Sequence, residues 1–423
     1  MLREAGYAGW DDLFAGLPEG VRLKAPLALP DGVSELEAER TMAELADKNV
    51  RFRHIFRGAG AYDHYIPAIV GRVTAKETFL TAYTPYQAEL SQGVLQSIFE
   101  YQTMICALTG MEVANASVYD GATAAAEGAE LCVDKKRGTV LLAATLPPQV
   151  KSVVETYCFG RGTVCRTVPE KDGALDLEAL AAALGADTAC LLLASPNYYG
   201  VLEPAREIGA LVHAAGARFV MSVNPISLGL LATPAECGAD LAVGEGQPLG
   251  MPLSWGGPYL GFMAAGAALM RKLPGRIVGE TTDADGRRAF VLTLQAREQH
   301  IRREKAGSNI CSNEALCALT AAVYLAAVGP NGLREAAGQC TAKAHYLQKA
   351  LAGAGLPLVF GRPFFHEFVT DCPDAEKLLA ALEAKGILGG LPLDGRRILW
   401  CATEKNTRAE MDAVAATAKE VFC

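Results

Sequence analysis

From Thr139 to Val223 the chain alternates short apolar runs with helical patterns, and that alternation leaves few folds open. Thr139–Ala143 reads as a buried strand, and a helix begins near Pro147. Gly162–Val168 is the next strand, and a helix from Asp176 to Leu184 stops at Gly185. Ala189–Ala194 is apolar throughout and is halted by Ser195-Pro196-Asn197. Pro204 opens a helix with Ile208, Leu211, Val212 and Ala215 on one face, and Arg218–Val223 is one more strand. Strands apolar on both faces with helices between them predict a mostly parallel sheet covered by helices, joined by right-handed crossovers. The central unit is α/β.

The carboxy-terminal stretch has another rhythm. Phe364–Val369 and Arg397–Cys401 read as strands, and a helix runs from Asp374 to Lys385. Thr407 with Glu410 has the spacing of a capping box, followed by Met411, Val414, Ala418 and Val421 at steps of three and four. A chain of 423 residues is too long for one ordinary core. The predicted division is a helical amino-terminal arm over 1–70, a large α/β domain over 71–330 and a small α+β domain over 331–423. The small domain is expected to start in the long helix after Gly332. No repeat at solenoid spacing is present.

Composition narrows the class. Hydrophobic residues make up 51% and charged residues 20%, as in soluble globular chains. No apolar run is expected to cross a bilayer, and the start MLREAGYAGWDDLF lacks the pattern of an export signal, so the cytoplasm is the expected location. A net charge of −8 argues against general nucleic-acid binding. The twelve cysteines are scattered through apolar stretches without C-x-x-C spacing, and the six histidines show no H-E-x-x-H. No metal is expected.

Four segments carry groups suited to chemistry. Thr81–Gln87 sets two tyrosines, a threonine and a glutamine around Pro85, which suits either a binding loop or a tyrosine-lined packing turn. Val118–Thr123 leads into a helix, so Gly121 and Thr123 suit an anion at the helix start, while a simple cap by Asp120 or Thr123 is the commoner arrangement. Gly244–Gly250 and Ser254–Pro258 are rich in glycine but match neither the P-loop nor the dinucleotide fingerprint. Gln299–Asn309 concentrates His300, Arg302, Arg303 and Lys305 in an acidic chain, a solvated helix face or a patch for an acidic partner.

These segments, in this order, resemble the glycine decarboxylase P-protein family of the glycine cleavage system. The stretches that carry the likeness are Ala82–Gly93, Ala114–Ser117, Gly121–Glu127, Gly256–Tyr259, Arg297–Lys305 and Ser308–Cys311. It extends over the whole chain, at the length of the alpha subunit (subunit 1) of the two-chain form or the amino-terminal half of the one-chain form. The resemblance implies an aspartate-aminotransferase-like fold of type I, with a large doubly wound domain before a small one. It implies decarboxylation of glycine on pyridoxal phosphate, an electron sink for the α-carbon, and transfer of the aminomethyl group to the lipoyl arm of H-protein.

Two positions depart from that chemistry. The strand that should end in an aspartate for the pyridine nitrogen reads Met221-Ser222-Val223-Asn224-Pro225. The place of the aldimine lysine, after Gly238–Val243, holds Glu245-Gly246-Gln247-Pro248-Leu249, and no lysine occurs between Lys171 and Lys272. The resemblance then implies an alpha subunit that completes a site with a lysine-bearing beta subunit, in an α2β2 heterotetramer. Its expected contributors are Tyr83, Thr84, Tyr86, Gln87, Ser308 and Asn309, with Gly256 and Gly257 approaching the cofactor phosphate from across the interface. The basic patch is expected at the subunit interface or under H-protein. Two other readings remain: a non-catalytic scaffold or regulatory chain, and an independent pyridoxal-phosphate aminotransferase or lyase using Lys272 or Lys305.

Overall fold

The computed structural model describes residues 1–80, 85, 87–294, 299–310 and 313–422. They form two units, Met1–Arg51 and Phe52–Cys423. The first holds the helices Trp10–Leu13 and Glu35–Ala46 and buries none of its side chains. Ser34 and Glu37 close a capping box: Ser34 Oγ accepts from Glu37 N at 3.3 Å, and Glu37 Oε2 from Ser34 N at 2.9 Å. The arm therefore ends earlier than residue 70. Past Arg51 the chain is tied down, because His54–Ile55 pairs in parallel with Ile387–Leu388 and Phe56 is fully buried.

In the second unit seven strands make the main sheet: β1 (Val113–Ala114), β2 (Thr139–Ala143), β3 (Val164–Val168), β4 (Thr188–Ala194), β5 (Arg218–Ser222), β6 (Leu241–Glu245) and β7 (Gly261–Ala265). Their spatial order is β1-β7-β6-β5-β4-β2-β3. Pairings are parallel from β6 across to β3, and β7 runs antiparallel to both β6 and β1. Every residue of β2 and β4 is buried, which explains their unbroken apolar sequence. Helices α1 (Gly121–Cys132), α2 (Pro148–Arg161) and α3 (Ala205–Ala214) connect the strands. The expected strands and helices of this region stand within a few residues of their predicted limits; α1 begins at Gly121 rather than after Thr123.

The long helix α4 (Ala315–Ala352) breaks at Gly329, with φ 60° and ψ −177°, just before Pro330. Its first half packs into the core around the sheet, through Cys317, Ala318, Ala321 and Tyr324. Its last turns enter a second core through Ala344, Leu347 and Leu351, with Phe56, Phe368, Leu378, Trp400 and Val414. Contrary to the sequence expectation, α4 is long and apolar enough to cross a bilayer. Those apolar residues instead serve two protein cores. The second core is covered by the antiparallel strands Glu367–Asp371, Arg397–Cys401 and Leu391–Pro392 and the helices Ala375–Ala384 and Arg408–Phe422. The capping box forms there as read from the sequence: Thr407 N donates to Glu410 Oε2 at 3.1 Å and Glu410 N to Thr407 Oγ1 at 3.3 Å.

Candidate functional site

A pocket of 330 Å³ opens at the carboxyl ends of the parallel strands, where α/β sheets place their ligand crevices. Ala194, Ser222 and Glu245 line it from the ends of β4, β5 and β6. Asp120, Gly121 and Ala122 line it from the start of α1, Gln149 and Val150 from α2, Gly58–Tyr62 from the segment before, and Glu367 from the small domain. No lysine, arginine or histidine is among the described residues that line it.

The amino terminus of α1 is the natural anion position in such a pocket, since its first N–H groups have no partner within the helix. Here two carboxylates of the chain itself occupy it. Asp120 Oδ1 accepts from Thr123 N at 2.7 Å, so the capping alternative is the one that forms. Glu245 reaches across from β6: Oε2 accepts from Gly121 N at 2.9 Å, and Oε1 accepts from Gln247 N and Leu260 N, each at 2.9 Å. Burial pushes the Glu245 carboxyl up, against the pull of the three N–H donors. Acceptance by both oxygens suits the ionised form. Gly121 is a packing requirement as well, because a Cβ there would stand 2.8 Å from the Cβ of Glu245.

Gln247, in the stretch where the lysine was expected, is 1% exposed and fully bonded. Its Oε1 accepts from Tyr62 N at 2.9 Å, and its Nε2 donates to Tyr62 O at 2.9 Å and Met251 O at 2.8 Å. It clamps the backbone of the segment that forms the pocket wall. Behind that wall Glu367 accepts from Ala59 N at 2.6 Å and from the Tyr62 hydroxyl at 2.7 Å, and burial raises it to about 7. Sequence reasoning missed Tyr62, Glu245, Gln247 and Glu367 as members of one site. A motif search had no signal for them, since the four come from three distant segments.

Next to Tyr62 lies the ring of His366, 4.7 Å away edge-on, with both nitrogens unpartnered; burial holds it down to about 3. His64 Nδ1 meets Glu404 Oε2 at 2.8 Å, and Cys340 Sγ donates to the same oxygen at 3.2 Å. Burial alone would raise Glu404, but the bond and charge of His64 hold it at about 2. These three side chains offer ligand atoms within 4.8 Å of one another, a grouping that sequence spacing could not reveal. The hydrogen bonds among them account for the arrangement.

The predicted contributors fall in several places. Tyr83, Thr84 and Tyr86 lie outside the described residues. Gln87 is exposed just before the helix Gln92–Thr109. Ser308 is buried, its Oγ donating to Glu127 Oε1 at 2.8 Å and accepting from Ile310 N at 3.0 Å. Glu127 is pushed up to about 7 by burial. Ser308 thus latches this loop onto α1, while Asn309 is exposed and meets the Tyr157 hydroxyl at 3.3 Å through Nδ2. Gly256 and Gly257, with φ of 106° and 156°, sit beside Trp255, which is 95% exposed at φ 52°. They do not line the pocket; their neighbour Tyr259 does. Arg302, Arg303 and Lys305 are exposed, which both the solvated-face and the patch reading allow, and the His300 side chain lies outside the described residues.

The family model described as the glycine cleavage system P-protein matches residues 1–417. The chain is 52% identical to the probable glycine dehydrogenase (decarboxylating) subunit 1 of Moorella thermoacetica, over 100% of this chain and 97% of that one. It is also 52% identical to the protein of the same name from Carboxydothermus hydrogenoformans, over 97% and 95% of the two chains. A crystal structure of glycine decarboxylase (P-protein) of the glycine cleavage system, in inhibitor-bound form, superposes with a TM-score of 0.94 at 43% identity, covering 100% of this chain and 97% of that one. An aspartate aminotransferase from Thermus thermophilus superposes at 0.61 with 16% identity over 87% of this chain and 98% of that one, which shows the fold alone. The architecture is that of pyridoxal-phosphate-dependent enzymes of fold type I, as expected. Pyridoxal phosphate does not fit the pocket of this chain, which among the described residues offers no amine for the aldehyde, no carboxylate at the end of β5 and no free helix terminus for the phosphate.

Proposed function

We propose, from the premise that this chain belongs to the glycine cleavage system P-protein family, that it is the alpha subunit of a two-subunit glycine dehydrogenase (decarboxylating). It works with a beta subunit that holds pyridoxal phosphate on its own lysine. The complex decarboxylates glycine and passes the aminomethyl group to the lipoyl arm of H-protein. The cofactor supplies the electron sink; this chain supplies surface and positioning groups at the interface. One observation carries the reading: a fold that matches the family over residues 1–417 and whose own pocket shows no basic side chain among the described residues.

Two surfaces support a partner subunit. The unit Met1–Arg51 exposes Trp10, Phe14, Leu23, Leu27, Leu29 and Met42, an apolar surface suited to a partner chain. Trp255, exposed on a turn of left-handed residues beside Gly256 and Gly257, suits an interface anchor. The loop Tyr83–Gln87 and Asn309 contribute to the shared site, and an α2β2 assembly in the cytoplasm is the expected form.

The test is glycine-dependent release of carbon dioxide with lipoylated H-protein and pyridoxal phosphate, by this chain alone, a beta subunit alone and the mixture. Activity confined to the mixture is expected. Activity from this chain alone, or none in the mixture, refutes the assignment. Full activity after replacing Tyr83, Tyr86 and Asn309 by residues of similar size would reduce the chain to a scaffold.

A further inference from the structure

We infer that Glu245 is a built-in anion that closes the phosphate position of this chain's pocket, so that the pocket refuses phosphate-bearing ligands, bound covalently or not. The inference rests on hydrogen bonds within the chain and stands whether or not the subunit assignment holds.

The lack of a lysine removes only the covalent bond to a cofactor. A pocket with a free helix terminus would still draw in the phosphate of pyridoxal phosphate, and in a two-subunit enzyme that second pocket would compete for cofactor. The structure removes this option by occupancy. The Glu245 carboxylate accepts the N–H of Gly121, the first residue of α1, and two further N–H groups at the same distance of 2.9 Å. Asp120 takes the N–H of Thr123 at the same helix end. An incoming phosphate would meet two carboxylates in place of donors, and no cation among the described lining residues offsets them. Entry requires expelling a side chain whose three N–H partners would each lose an acceptor. The close packing of Gly121 on Glu245, where a Cβ would stand 2.8 Å from its counterpart, holds β6 against the start of α1 and so keeps the carboxylate on its donors.

The test uses the full chain with inorganic phosphate, acetate and pyridoxal phosphate as probes. For the wild type, calorimetric titration should show no binding of phosphate, and gel filtration should strip all pyridoxal phosphate. Glu245→Ala should lower Tm, and roughly 50 mM acetate or phosphate should restore part of the loss, because an anion that binds only the folded state stabilises it. Sodium chloride at equal ionic strength should not restore it. Binding of phosphate or pyridoxal phosphate by the wild type overturns the inference, and so does a Glu245→Ala chain whose Tm ignores acetate and phosphate alike. The wild-type titration decides the matter even if the variant fails to fold.

Discussion

Replacing Glu367 by glutamine isolates one buried proton. The carboxyl is 4% exposed, accepts from Ala59 N and the Tyr62 hydroxyl, and titrates at about 7 instead of the ordinary 4.5 because burial disfavours its charge. Between those two values the folded chain keeps a proton that the unfolded chain has released. Stability therefore falls as pH rises from 4.5 to 7 and is level above that window, as far as this group is concerned. At about 1.4 kcal/mol per pH unit, the interval is worth about 3 kcal/mol. Glutamine mimics the protonated acid: its Oε1 can accept from Ala59 N and its amide can donate to the Tyr62 oxygen. Urea unfolding of wild type and Glu367→Gln at pH 5 and pH 8 gives the comparison. The two chains should be close at pH 5, and at pH 8 the variant should be the more stable by about 3 kcal/mol. The same pH dependence in both chains would refute the assignment of a neutral Glu367 to the folded state.

Other outcomes follow from geometry already described. Gly121→Ala drives a methyl to within 2.8 Å of the Glu245 side chain and 2.9 Å of its backbone nitrogen, and should cost about 1–3 kcal/mol in urea unfolding; an unchanged midpoint would mean that β6 and α1 are not so closely packed. Trp255→Ala should leave the stability of the isolated chain within about 0.5 kcal/mol and weaken the complex with a beta subunit by about 2 kcal/mol; equal affinity in a titration would remove Trp255 from the interface. Reversing the charges of the exposed Arg302 and Arg303 to glutamate should raise the apparent KM for H-protein several-fold while leaving Tm unchanged. Unchanged kinetics would dismiss the docking role of that patch.

The local architecture was open to sequence reasoning because its signals are local. The apolar run Thr139–Ala143, the strand Arg397–Cys401 and the Thr407–Glu410 box each state their structure within a few residues, by periodicity or by a cap. The absence of a lysine after Val243 is likewise a fact of composition along one strand, and it needs no coordinates. The fate of the pocket was not legible that way. Asp120-Gly121-Ala122-Thr123 admits an anion cradle beside the commoner cap, and only the tertiary fold brings Glu245, far along the chain, onto the N–H of Gly121. Packing turns the Ser308 hydroxyl inward to Glu127, a partner that no local pattern announces. Glu367 and Tyr62, distant in sequence, share a proton environment that burial alone creates. The sequence by itself determined which elements form and which catalytic group is missing, because both depend on neighbours in the chain. Only the tertiary structure decided which polar groups neutralise one another, because that depends on distances across the fold and on the water excluded between them.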